Sequence, residues 1–283
     1  MADEAQGEPK KHEVFEKPFK VQPVFEMRST PESYRRYPDG DKLPSQLKVW
    51  KVQDTGQPFG SVVTHSYGYE DSPDAEILTP GFNDGKESGA VGVGRHASFL
   101  QWGFSAPPSK LTPAGKNFFL NSICYIHKFD NAAPLVRQEA MSRDYVVFLA
   151  SIIPQLNDPN EFFSGIFAPD LKKIYQSDPK GFGKYMEGYL EFLYQDNTYK
   201  PDLELKSLGI PTNRQVQTLE RLISLLEDEK QKQLAQKLLL RYTTESFQTP
   251  AQWKAWLESN KSRLYFSDIG GYKFRMMPEG YLK

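Results

Sequence analysis

The sequence holds a single cysteine, Cys124, so no internal disulfide can form and the redox compartment cannot be read from pairing. Neither sign of charge is in excess. The 35 Lys and Arg stand against 36 Asp and Glu, a net charge of −1, and this excludes a global field suited to nucleic acid or an anionic membrane. No apolar run approaches the ~18 residues that a membrane-spanning helix needs, so no transmembrane segment is expected. The first residues, MADEAQGEPKKHEVFEKP, lack the basic and apolar regions of a signal peptide. Their ADEAQGEP start looks like a mature end left by cleavage behind a small residue, with Met1 added, which goes with a periplasmic or secreted protein. A cytoplasmic protein with a polar tail is the alternative.

Histidine is equally scarce. His12, His65, His96 and His127 include no pair at ligand spacing, so no metal is assigned, and no cofactor either. No G-x-S-x-G nucleophile elbow occurs. Gly92 and Gly94 form a G-x-G, but Arg95, His96 and a strand follow where a dinucleotide site needs a helix N-terminus. Close packing or a bulge beside a hairpin is the reading for these glycines. Cys124, between Ile123 and Tyr125, reads as a buried small hydrophobe.

What the chain has is proline and aromatic rings: 21 Pro, 19 Phe, 15 Tyr and four Trp. The first dozen residues are polar and read as unfolded, and prolines at 18, 23, 31, 38 and 44 make residues 1–45 an extended arm. Strands are expected at Leu47–Val52, Ser61–Tyr69, Ala75–Phe82, Ala90–Gly94 and Ser98–Phe104, the last two joined by a tight turn at Arg95–Ala97. Thr112-Pro113 opens a helix running to Phe129. The segment Asn131–Arg137 is the expected boundary. Beyond it helices are expected at Asp144–Ile153, Asn160–Phe167, Asp170–Ser177, from Asp178-Pro179, at Asn213–Tyr242 and from Thr249-Pro250. The longest would carry a Thr212–Gln215 capping box, and its charged Glu227–Lys232 stretch leaves two helices with a turn as an alternative. Arg263–Arg275 reads as a hairpin turning at Gly270-Gly271. The fold class is therefore α+β: an arm over 1–45, a small irregular β-rich unit with a packing helix over 46–130, and a mainly helical region with a terminal hairpin over 131–283. The four tryptophans read chiefly as core.

The run Gly94, Arg95, Phe99, Trp102, Gly103, Phe104, Phe118 and Asn121 (strand, GR turn, strand ending WGFSAPP, then LTPAGKNFFLNSICYI) resembles the last strand and helix of trehalose-utilisation-type (ThuA-like) and class I glutamine-amidotransferase-like domains. A longer stretch over residues 75–130 resembles a group of exported bacterial proteins. The likeness implies a hydrolase or sugar-modifying enzyme. It departs from those domains where their chemistry lies: Cys124 sits inside the helix and not on a nucleophile elbow, and the preceding residues show no βα units, so glutaminase activity does not carry over.

The residues that would form a site are Arg95, His96, Asp71 and Asp74. Arg95 could clamp a carboxylate or phosphate and His96 could exchange a proton near neutral pH. Asp71 and Asp74, in the acidic EDSPDAE loop, could hold sugar hydroxyls or a cation, although a solvated turn is the plainer reading. Asp71 could also pair with Arg95. With no catalytic constellation visible, the leading expectation is a non-catalytic binding or assembly protein, an accessory subunit working outside the cytoplasm on other proteins, with a carbohydrate as a further ligand class. The hydrolase or sugar-modifying enzyme is the alternative.

Overall fold

The computed structural model describes residues 1–57 and 60–281. Two compact units are present, Met1–Leu135 and Val136–Lys283, and the division falls inside the Asn131–Arg137 segment. The architecture is α+β. The first unit is built on two small sheets and the second is mainly helical and ends in a hairpin.

In the first unit, β1 (Glu4–Gln6), β2 (Phe25–Ser29) and β3 (Gln46–Lys51) form an antiparallel sheet in the order β1-β3-β2. A second antiparallel sheet, in the order β4-β5-β6, holds β4 (Ala75–Pro80), β5 (Val91–His96) and β6 (Phe99–Trp102). Helix α1 (Pro113–Ile126) starts where its sequence signal lies: Thr112 Oγ1 accepts from the Gly115 N–H and Pro113 takes the first position. Its Phe118 is fully buried, stacked at 4.9 Å on Phe15 and edge-on at 5.9 Å to Trp50. The tight turn between β5 and β6 holds Ala97 at φ 50°, with the Ala97 N–H bonded to Asp74 O at 2.8 Å.

The expected unfolded tail and free arm do not occur. Ala5 pairs with Trp50, residues 1–5 are buried, and the Met1 ammonium donates to Ser61 O at 2.8 Å. Asp3 accepts from Gln53 Nε2 and from the Thr55 N–H, so its charge is met inside the unit. Further along the arm, Val14 and Phe15 join the core, and Asn121 of α1 donates to Val14 O and Phe19 O. Composition marked the segment as polar, but its few apolar residues and a free edge of β3 suffice to order it.

Two other expectations fail here. Ser61–Tyr69 makes only one bridge, Thr64 to Val91; the Ser66 N–H turns to the Glu87 carboxylate, and Gly68 takes φ 87°. Cys124 is exposed, because the buried face of α1 runs through Phe118, Asn121, Ser122 and Tyr125 and leaves Ile123 and Cys124 on the other side. The glycine reading agrees with the packing: a Cβ on Gly92 would meet the Gly81 backbone at 2.9 Å, and one on Gly94 would meet Tyr69 at 2.7 Å.

The second unit begins with α2 (Arg143–Ile152), α3 (Pro159–Ile166), α4 (Lys172–Ser177) and α5 (Phe182–Glu187). Strands β7 (Leu193–Asp196) and β8 (Thr198–Pro201) then form a hairpin absent from the sequence expectation, turning at Asn197 with φ 59°. Helices α6 (Leu203–Ser207), α7 (Val216–Leu225), α8 (Lys232–Tyr242) and α9 (Pro250–Asn260) follow, then β9 (Leu264–Ser267) and β10 (Lys273–Met276) as the closing antiparallel hairpin. The long helix is thus two, broken over residues 226–231, within and just before the charged stretch. The Thr212–Gln215 box does not form, since Thr212 Oγ1 donates to Glu191 and α7 begins after Gln215. Asp178 accepts from the Gly181 N–H in a turn ahead of α5. The Thr249–Gln252 capping box does form. Trp50 and Trp253 are fully buried, and Trp102 and Trp256 pack against the two cores.

Candidate functional site

The β4–β5 register places Glu76 opposite Arg95 and Ala75 opposite His96. In an antiparallel pair opposite residues share a face, so Arg95 meets Glu76 where the sequence suggested Asp71. Its Nε donates to Glu76 Oε1 at 2.5 Å, and its Nη1 donates to Asp74 O at 2.9 Å and Ala97 O at 3.2 Å. The guanidinium carbon lies 3.7 Å from the Phe129 ring centroid, and only 7% of the side chain is exposed. Arg95 is therefore a staple that holds the β5–β6 turn, not a clamp open to ligand.

Asp74 is likewise internal. Its side chain is fully buried, Oδ2 accepts from the Leu135 N–H at 2.8 Å, and His96 Nε2 stands 3.4 Å away. Burial alone would raise its carboxyl, but His96 and the Leu135 N–H outweigh this and hold it below its ordinary value. The expected solvated acidic turn is thus a partly buried structural loop, with Ser72 and Asp74 inside it and Asp71 half-buried. Arg95, His96 and Asp74 do come together, but as a brace.

The group that faces open space is Glu76. Its Oε1 also accepts from Tyr125 Oη at 2.5 Å, and its Oε2 lies 3.4 Å from His12 Nε2. His12 Nδ1 accepts from the Val14 N–H at 3.2 Å, which places the proton of the neutral ring on Nε2, toward Glu76. The His12 ring meets Tyr125 edge-on at 4.9 Å. Burial and then the neighbouring Glu76 carboxylate push the Tyr125 hydroxyl well above its ordinary value, so it stays a donor. Glu76 lines a depression of about 290 Å³ together with Lys10, His12, Tyr69, Glu70, Ile77 and Leu78. Lys10 Nζ is tethered by donation to Ile77 O at 3.2 Å.

Of these residues, sequence reasoning touched Glu70 and Glu76 as members of an acidic loop, His12 as one of four histidines without ligand spacing, and Tyr69 as the end of an expected strand. The register of two adjacent strands could have paired Glu76 with Arg95. Nothing local could have brought His12 and Tyr125 to the same carboxylate, since they are far apart in the chain.

Elsewhere, His65 Nδ1 lies 2.6 Å from Glu87 Oε2, stacked at 4.9 Å on Tyr67. Burial raises Glu87 and the bonds from His65 and the Ser66 N–H more than reverse this, leaving its carboxyl below the usual value. In the second unit Arg143, almost wholly buried, bonds Asp268, Asn213 Oδ1 and Leu190 O. A larger depression of about 450 Å³ there is lined by Leu226, Pro250 and polar side chains, among them Glu229, Lys232, Gln233, Gln236 and Gln248. Among the described residues no group of three or more His, Cys, Asp or Glu side chains is placed to hold a metal ion, and no helix is long and apolar enough to cross a membrane. No protein-family model, curated protein or solved structure matches the chain.

Proposed function

We propose that this chain is a non-catalytic binding protein, an accessory subunit whose small-molecule site is the depression beside Glu76 and whose ligand is a hydroxyl-rich molecule such as a sugar. The observation that carries this reading is the fixing of one carboxylate, at the wall of an open depression, by Arg95, Tyr125 and His12. Fixed acceptors and donors beside apolar Ile77 and Leu78 suit a ring with a C–H face and a hydroxyl edge. Both Glu76 oxygens already face donors, which leaves the group to orient a ligand. The exported bacterial proteins that the chain resembles support a periplasmic or secreted location, with other proteins as its working partners.

The test is titration calorimetry with a panel of mono- and oligosaccharides, run with product analysis and with recovery of partners from the native host. Sugar binding without turnover, weakened at least tenfold by Glu70→Gln on the exposed rim, supports the reading. No binding by any member of the panel would overturn it. A second reading, a hydrolase or sugar-modifying enzyme, is favoured by the Tyr125–Glu76 donor–acceptor pair at the same wall and by the strand–helix resemblance. Release of product from any member of the panel would decide for it.

A further inference from the structure

The edge strand β2 is complementary to itself. It lies outermost in the first sheet, with Phe25 41% and Met27 52% exposed and Val24 beside them 84% exposed. Natural edges are more often blunted than left apolar.

The direction of its free main-chain groups follows from the ladders. The Thr30 N–H bonds Ser45 O at 3.0 Å, and the Gly7 N–H bonds Lys48 O at 2.8 Å. Hydrogen-bonded pairs alternate in an antiparallel ladder. Odd-numbered residues of β3 therefore bond β2 and even-numbered ones bond β1. In β2, Glu26 and Arg28 turn their main-chain groups to β3, while Phe25, Met27 and Ser29 turn theirs to the open edge.

An antiparallel second copy centred on Met27 matches this edge. Met27 then opposes Met27 of the other copy, Phe25 opposes Ser29, and Glu26 opposes Arg28, twice over. The odd residues meet in the hydrogen-bonded positions, giving about six main-chain bonds. The two Glu–Arg pairs fall in the non-hydrogen-bonded positions, where side chains come closest. Within one copy Arg28 Nη1 bonds the buried Glu4 at 3.0 Å, and Glu26 stands near the same carboxylate. In the pair each Glu26 gains an Arg28 of the other copy opposite it.

We infer that the chain forms a two-fold dimer by pairing β2 with β2 of a second copy, joining two three-stranded sheets into one. This is independent of the Glu76 depression, which lies on the other sheet. A closed, isologous contact of this kind consumes the edge and leaves none for further growth.

Sedimentation equilibrium on the intact chain, from low micromolar to about 100 µM, tests it together with amide exchange read at single residues. The expected result is a dimer in which the Phe25, Met27 and Ser29 amides gain protection as concentration rises. Glu26→Lys sets lysine against Arg28 twice and should weaken association roughly tenfold to a hundredfold; it is exposed and relieves Glu4, so the fold is kept. Met27→Pro removes an outward donor that β3 does not use and should also give a monomer. Arg28→Glu alone should not pair with itself, but mixed with Glu26→Lys it should restore a heterodimer, since every cross-strand pair is again opposite in sign. Any of three results overturns the proposal. These are a monomer throughout the range, a dimer untouched by the β2 variants but lost in Leu120→Asp on the exposed face of α1, and β2 amides protected only when a different protein is added.

Discussion

Replacing Arg95 by methionine separates a brace from a ligand clamp. The arginine side chain is 7% exposed and serves Glu76, two main-chain carbonyls and the Phe129 face. Breaking a buried ion pair costs roughly 3–5 kcal/mol when the partner is left fully uncompensated. Glu76 keeps Tyr125, His12 and some contact with water, since its side chain is 26% exposed, so the lower end of that range applies. Orphaning the Ala97 carbonyl adds roughly 1 kcal/mol, while the Asp74 carbonyl keeps the Ala97 N–H, and the lost cation–ring contact adds about 0.5–1 kcal/mol. Arg95→Met should therefore destabilise the first unit by roughly 4.5–5 kcal/mol, most of the margin of a small domain. With two units in the chain, a single unfolding curve would mix them. The assay is exchange of β5 and β6 amides in a urea series, which reports the first unit alone. Arg95→Met with Glu76→Gln should recover about half of the loss, because no charge is then orphaned. A variant as stable as the parent that has lost ligand binding would refute the reasoning and return Arg95 to the role of a clamp.

In the second unit, Arg143→Met leaves Asp268 buried without its arginine and should cost about 3–5 kcal/mol by urea unfolding, with most of it recovered when Asp268→Leu is added. Gly103→Ala should cost roughly 1–3 kcal/mol and lower the thermal midpoint, because a Cβ there would stand 2.1 Å from Val62 O and 2.7 Å from Gly92 O, both backbone. Stability of the first unit should depend on pH with opposing contributions, besides that of the Met1 ammonium, which burial and then Lys86 hold below its ordinary 8.0, so that its share falls away as pH drops from 8 through the depressed value. Asp74 and Glu87 are depressed below their ordinary 3.8 and 4.5, so their share is complete above those values and is lost as pH falls through the depressed ones. Glu4 is raised by burial, so its penalty lifts as pH falls toward 4.5. Urea midpoints should drop steeply below about pH 4; midpoints that hold from about pH 5 to about pH 3 would contradict this assignment.

The elements with local causes were legible. Thr112-Pro113 and Thr249-Pro250 start helices because the cap and the fixed proline φ act within one turn. The Val91–His96 and Phe99–Trp102 strands and the closing hairpin follow from alternation and turn residues. Thr212–Gln215 carried the same kind of signal and lost, because Thr212 found a stronger partner in Glu191, distant in sequence.

Sequence alone determined the α+β class, the near balance of charge and the impossibility of an internal disulfide, all of which depend on composition or on neighbours within a few residues. Only the tertiary structure decided that residues 1–5 are buried with a strand at Glu4–Gln6, that Cys124 faces out, that Arg95 and Asp74 are braces, and that Glu76 gathers His12, Arg95 and Tyr125 beside a depression. Each of these depends on strand register or on a helix face meeting a distant segment, and a one-residue change of strand register would turn the Glu76 and Arg95 side chains the other way.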